Sequence, residues 1–423
     1  MSDTGARGLP DRQWSRPELG PGNRPDPHDM SAKELRYVDV EFSDEQQEIR
    51  RALRDVFDKH SDSPAVRAVM ATETGYDATV WRRVCEQTGL AGLAIPEEYG
   101  GVGFGFTELV VALEEMGRSL FPSPFLASSV LTAYALTHAG DEAARAEYLP
   151  GIAAGVTLGA LALAEPGRRD VRAVETAARA DGDGWRLDGV KTHVIDGLIA
   201  DLIVVVARVE GGSAANRGGA GDLALFTVDK DAAGLTRAAL PTLDQTRKQA
   251  RLTFVDTPAR LLGTPGADAA LERVLALAEI AVAAEAVGGA ARCLEATVEY
   301  TKGRVQFGRP IGSFQAIKHR CADLYVEVET ARSALYYAAW AACEAEAAGL
   351  ASPGELAVMA PLAMTTATAA YRHVAEEMIQ LHGGVGFTWE YDCHLYLKRA
   401  ITSAHLFGDR GAQRERIAEL AGI

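Results

Sequence analysis

Cysteine is scarce and scattered. The five residues Cys85, Cys293, Cys321, Cys343 and Cys393 form no CxxC pair and stand near no histidine at zinc-finger spacing. That argues against a disulfide framework or a structural metal site, and a reduced, cytoplasmic setting is the expectation. Basic residues are in deficit, 43 against 58 acidic ones, for a net charge of −15. Such a chain repels a phosphate backbone, so nucleic acid is not an expected partner. Long apolar runs are also lacking: stretches such as "LIADLIVVVA" meet a charge well before the roughly 18 residues that cross a bilayer, so no membrane span is expected. The first 38 residues contain Pro, Gly, Arg and Asp but no apolar core of a signal peptide, and read as a disordered tail.

What is present is a chain of 423 residues with 48% hydrophobic side chains, enough for sizeable cores. Ordered structure should begin at "FSDEQQEIRRALRDVF". There Ser43 and Gln46 have capping-box spacing, and Ile49, Leu53, Val56 and Phe57 recur at helical intervals. Helical patterns follow around Trp81–Gly89, Thr107–Ser119 and Ser128–His138, interrupted by the Gly- and Pro-bearing "AIPEEYGGVGFGF". Residues 39–154 are therefore expected to form an N-terminal helical domain.

Between 155 and 266 the texture changes. "WRLDGVKTHVIDG", "DLIVVVARV", "DLALFTVD" and "ARLTFVD" are short β-branched segments separated by Gly and Asp, as in an antiparallel sheet or barrel. A Gly/Ala-rich insert, "VEGGSAANRGGAGD", reads as an exposed hairpin loop. From 267 to 423 long Ala-rich helical patterns return, with turns at "FGRPIG", "ASPGE" and "LHGGVGF". They predict a C-terminal helical bundle suited to an oligomer interface.

Five segments in this order, "GLAGLAIPEEYGG", "ALAEPG", "DGVKTHVIDGLIAD", "RVQFGRPIGSFQAIKHRCADL" and "QLHGGVGF", resemble landmarks of the acyl-CoA dehydrogenase family. The resemblance covers nearly all of the chain after the tail. It implies a multidomain fold with a helical N-terminal domain, a middle β domain and a C-terminal helical bundle. It also implies FAD as cofactor and oxidation of an acyl-CoA thioester to its 2-enoyl form. In the family the Arg-x-x-Phe segment reaches the FAD of a neighbouring protomer, which carries over to Arg304, Gln306 and Phe307, with Gln315 further along. A guanidinium suits the dianionic diphosphate. Gln380, Gly383 and Gly384 match a turn that approaches the adenosine end, and His193 stands where many relatives place a Trp against the flavin.

The chain departs from the pattern at several places. Ala164 replaces a Thr, Ile195 replaces a Thr that bonds flavin N5, and "LFGDRG" replaces Glu-Gly-Thr-x-Gln. A gapless alignment puts His394 at the usual place of the carboxylate base, and Ala278 at the alternative place used by a second subgroup. His394 is therefore the candidate base, since an imidazole titrates near neutrality, with a structural role as its alternative. Glu279, Glu285, Glu390 and Asp392 are the nearby acids, and Glu285 reads as a buried carboxylate paired with a bundle cation.

Two classes of function stay open at this stage. One is an enzyme subunit sharing its site with a homologous chain, as in heterotetrameric steroid acyl-CoA dehydrogenases, or else a homotetramer. An electron-transferring flavoprotein is the implied acceptor. The other is a non-catalytic binding or scaffold subunit of the same fold.

Overall fold

In the computed structural model the described residues are 42–168, 173–211, 222–348, 354–408 and 410–423. The expected tail (1–38) and most of the Gly/Ala insert (212–221) lie outside them. Helix α1 (Asp44–His60) starts as its capping box requires: Gln46 N–H donates to Ser43 Oγ at 3.2 Å, and Ser43 N–H donates back to Gln46 Oε1 at 3.0 Å. Its Leu53 and Phe57 are buried. Helices α2 (Ser63–Met70), α3 (Ala78–Thr88) and α4 (Phe106–Ser119) follow. A π-helical turn, Leu126–Thr132, then runs into α5 (Ala133–Ala139), and α6 (Glu142–Ala153) completes the helical part.

The next seven strands are β1 (Gly159–Ala162), β2 (Ala177–Asp181), β3 (Gly184–Ile195), β4 (Leu202–Val209), β5 (Leu223–Asp229), β6 (Leu235–Ala239) and β7 (Gln249–Leu262). One edge of β4 pairs with β5 and the other with β1 and β2; β7 joins β3, β5 and β6, so the sheet closes into a barrel. Its interior is filled by residues such as Ile203, Val205, Phe226, Leu252 and Phe254. The sequence led us to expect antiparallel pairing throughout, but β1–β4 and β2–β4 are parallel. Both pairs are non-consecutive strands, joined through intervening chain long enough for a parallel return.

Helix α7 (Asp268–Gly303) is followed by a short hairpin, β8 (Val305–Gln306) and β9 (Arg309–Pro310), and then by α8 (Gln315–Ala348), α9 (Leu356–His382), α10 (Cys393–Ser403) and α11 (Arg410–Ala421). Contrary to the reading of the apolar runs, α7 is long and apolar enough to cross a membrane, yet nearly all of its apolar window is buried among its neighbours, as befits a core helix. Glycine lets it pack closely. A Cβ at Gly288 would overlap the Glu114 carbonyl oxygen, and one at Gly117 would overlap that of Glu285, so α4 and α7 cross backbone against backbone. This crossing ties the first helices to the C-terminal bundle beside the barrel.

Candidate active site

A cavity of about 560 Å³ opens between the barrel and the end of α10. The barrel side contributes Leu161 of β1, Leu163, Ala164, Glu165 and Arg168 after it, Thr192, His193 and Ile195 of β3, the 241–243 loop, and Gln249; the far side is Ile401–Thr402 and His405–Gly408. The structure therefore gathers on one wall three of the positions that departed from the family pattern: Ala164, His193 and Ile195.

That wall is rigidly built. Lys191, fully buried, donates to the Leu163 carbonyl at 3.0 Å and to Glu165 Oε1 at 2.7 Å. Glu165 also accepts from Glu175 N at 2.7 Å, Thr176 N at 2.9 Å and Thr176 Oγ1 at 2.7 Å. Burial pulls Lys191 down to about 8 against the charge of Glu165. Burial alone would push Glu165 up, but Lys191 and the hydrogen bonds hold it below the usual carboxylate range. The two groups thus form an ion pair at neutral pH, and the one carboxylate among the described lining residues is committed to structure. Thr192 N–H donates to the Ala164 carbonyl at 2.9 Å, locking β3 to the end of β1.

His193 sits at φ 53°, a left-handed conformation that few non-glycine residues adopt, with Nδ1 2.8 Å from Oε1 of buried Gln249. Asp196 (φ 53°) and Phe407 (φ 59°) share this unusual backbone. Three such residues in or beside one cavity mark it as a place where backbone geometry is imposed by its surroundings. On the far side, His405 Nδ1 donates to the Ile401 carbonyl at 2.8 Å, and Phe407 and Gly408 close the wall with an aromatic ring and no ionisable group.

His394, the sequence's candidate base, does not line this cavity. It shares a helical face with Ile401 but lies roughly 10 Å away along the axis of α10 by helix rise. It is buried, edge-on to Trp389 at a centroid distance of 4.4 Å. Burial, with Lys398 and Arg67 next in weight, pushes its pKa below the ordinary value. Of the alternative acids, Glu390 is exposed and the other three are engaged elsewhere. Glu279 pairs with Arg416 at 3.1 Å and Asp392 with Arg67 at 2.6 Å; Glu285 is a buried, paired carboxylate as the sequence suggested, but its partner is Arg247 of the barrel part, with the bundle cation Arg399 at 4.0 Å; Ala278 is a buried core residue.

The other site candidates cluster at a second place. Arg304 follows α7, and its hairpin projects Gln306 and Phe307 into solvent, Phe307 at φ 53° and 91% exposed. Gln315 is exposed just beyond. Among the described residues none pairs with the Arg304 side chain. Gln380, Gly383 and Gly384 are exposed at the end of α9, with open space where a Cβ of either glycine would point. The two groups adjoin: Tyr300 stacks on His382 at 4.1 Å and donates its hydroxyl to the His382 carbonyl at 3.2 Å. None of these seven residues lines the cavity of this chain. Sequence reasoning missed Glu165, Lys191, Gln249 and Phe407. The replaced "LFGDRG" was the available signal for the last, whereas the others become visible only through their contacts.

The sequence matches the acyl-CoA dehydrogenase N-terminal domain over residues 43–156, the middle domain over 160–256 and the C-terminal domain over 265–421. It is 39% identical over 363 residues to acyl-CoA dehydrogenase IpdE2 of Mycobacterium tuberculosis, covering 86% of this chain and 93% of that protein. Among solved structures it resembles a chain of the Tcur3481-Tcur3483 steroid ACAD G363A variant, with 35% identity, TM-score 0.79 and coverage of 89% and 98% of the two chains. It also resembles a chain of the ChsE4-ChsE5 complex from Mycobacterium tuberculosis, with 28% identity, TM-score 0.80 and coverage of 91% and 99%.

Proposed function

The chain belongs to the acyl-CoA dehydrogenase family of FAD-dependent oxidoreductases, and from that premise we propose that it is one subunit of a heteromeric enzyme that desaturates an acyl-CoA thioester. The observation carrying this reading is the separation of its two sets of cofactor-facing residues. Arg304, Gln306, Phe307 and Gln315, with the adjoining Gln380, Gly383 and Gly384, are exposed and line no part of the chain's own cavity.

These residues fit the diphosphate and adenosine end of FAD. Arg304 supplies an unpaired guanidinium, the glutamines supply amides, and Gly383 and Gly384 leave open backbone for close approach. FAD, when bound, supplies the hydride acceptor for the β-carbon. The residues of this chain bind and orient the cofactor's nucleotide end for a cavity on the neighbouring chain.

In this chain's cavity the wall carries Ala164 and Ile195 in place of hydroxyls, and Phe407 offers no proton acceptor. The α-proton must leave to a base, and in this reading the partner chain provides it. The steroid connection of one similar structure supports a bulky, steroid-derived acyl-CoA as substrate, and the family resemblance supports an electron-transferring flavoprotein as the oxidant.

The test is a visible spectrum of the purified chain, alone and co-expressed with a homologous chain, followed by anaerobic addition of acyl-CoA thioesters. Flavin that appears and bleaches only in the complex is expected. Full flavin content and bleaching by the chain alone would overturn the shared-site reading. Among the described lining residues the one carboxylate, Glu165, is paired with Lys191, which favours a second reading, a non-catalytic subunit, and that reading predicts a complex with no flavin at all.

A further inference from the structure

Behind the cavity wall lies a second void of about 10 Å³, about the space one water molecule needs. Ile195 lines both spaces. Around the small one meet Ser123 from the segment after α4, Asp196 at the end of β3, Thr246 and Arg247 before β7, Glu285 of α7 and Arg399 of α10. All three parts of the chain contribute.

The charges form a continuous chain. Arg399 Nε donates to Asp244 Oδ2 at 2.6 Å, and its Nη2 to Thr246 Oγ1 at 2.6 Å, while the Thr246 hydroxyl donates to Asp244 Oδ1 at 2.6 Å. Arg399 Nη1 lies 4.0 Å from Glu285, whose other oxygen is paired with Arg247. Two arginines therefore already answer two carboxylates, Asp244 and Glu285, before Asp196 is counted. Two polar atoms at this junction, Ser123 Oγ and Arg247 Nη1, are buried without a protein partner, and Arg247 is only 6% exposed. Buried donors left this way are costly, and a water bonded to both would remove the cost.

We propose that the void is a hydration site in which one water is held by Ser123 Oγ, Arg247 Nη1 and the Asp196 carboxyl, with Asp196 carrying a proton, so that the junction is a proton-sensitive clamp on the back of the cavity. The charged and titratable groups around Asp196 are Arg247 before β7, Arg399 of α10, Glu285 of α7 and Tyr76 after α2. A third negative charge here, on a residue only 9% exposed, would exceed the two arginines. Burial pushes Asp196 up to about 7, further than Arg247 and Arg399 can pull it down. The clamp acts on the cavity because Asp244 and Arg399 anchor the 241–243 loop and the end of α10, both of which line it.

The sign follows from the raised pKa. An unfolded Asp titrates near 3.9, so the folded chain holds the extra proton between about 4 and 7, and this stabilisation is lost as pH rises through about 7. Asp196→Asn mimics the protonated form at every pH and tolerates the left-handed backbone. The melting temperatures of the full-length wild type and D196N are compared from pH 5 to 8.5. The difference, variant minus wild type, should grow by roughly 2–4 °C across that range. A difference that stays constant would overturn the proton clamp. A high-resolution crystal structure of the wild type should show one water within hydrogen-bond reach of Ser123 Oγ, Arg247 Nη1 and Asp196. A dry void would overturn the hydration site, whether or not the variant folds.

Discussion

The exposed arm and the buried cavity answer differently to the same family pattern. The arm keeps every residue the pattern asks for: Arg304, Gln306, Phe307 and Gln315, with Gln380 and the two glycines beside it, all at the surface. The cavity is braced by the Glu165–Lys191 pair and the strained β3 end, but it carries Ala164 and Ile195 where the resemblance expects hydroxyls, and Phe407 from the altered "LFGDRG". An exposed arginine and a solvent-facing phenylalanine contribute little to the stability of their own chain, so folding alone gives no reason to retain them. A cavity wall must stay packed whatever its chemistry. The contrast is the one the proposed shared site requires: exposed residues kept for a neighbouring cavity, and altered residues in the chain's own.

Breaking the clamp that holds the cavity loops should have the largest effect. Arg399→Ala leaves Asp244 buried and uncompensated, and a loss of about 3–5 kcal/mol is expected in a urea titration of the full-length chain. Arg304→Ala should leave that titration unchanged. In the co-expressed complex, however, it should weaken FAD retention roughly 10- to 100-fold, as removing a charged hydrogen-bond donor does, measured by flavin absorbance after dilution. Equal flavin retention by R304A and wild type would erase the contrast between arm and cavity.

Gly288→Ala tests the scaffold common to both regions. Its new methyl group meets the Glu114 carbonyl, and a destabilisation of about 1–3 kcal/mol is expected by thermal melting. The smallest effect should come from His394→Ala. Turnover of the complex should stay within about twofold, and stability should fall by about 1 kcal/mol through the lost contact with Trp389. A turnover loss of a hundredfold or more would return His394 to the catalytic site.

The helical, β, helical order was legible because burial on one face writes itself into residue spacing. Leu53 and Phe57 recur at the helical period and are the buried residues of α1, and the β-branched segments became β3, β4, β5 and β7. The arm was legible because its residues are contiguous. The position of His394 was not legible because a gapless alignment does not say which residues pack around a side chain, and its ring lies edge-on to Trp389 instead of in the cavity.

The sequence by itself determined the family, the order of the parts, the intact arm and the identity of the altered positions, since each depends on local spacing or on a short run of neighbours. Only the tertiary structure decided that Ala164, His193, Ile195 and Phe407 share one cavity, that Glu165 is spent on Lys191, and that Asp196 meets two arginines over a void. Each of those groupings joins residues far apart in the chain. Whether a carboxyl is a base, a brace or a proton store depends on the charges and the water around it, which packing alone assembles.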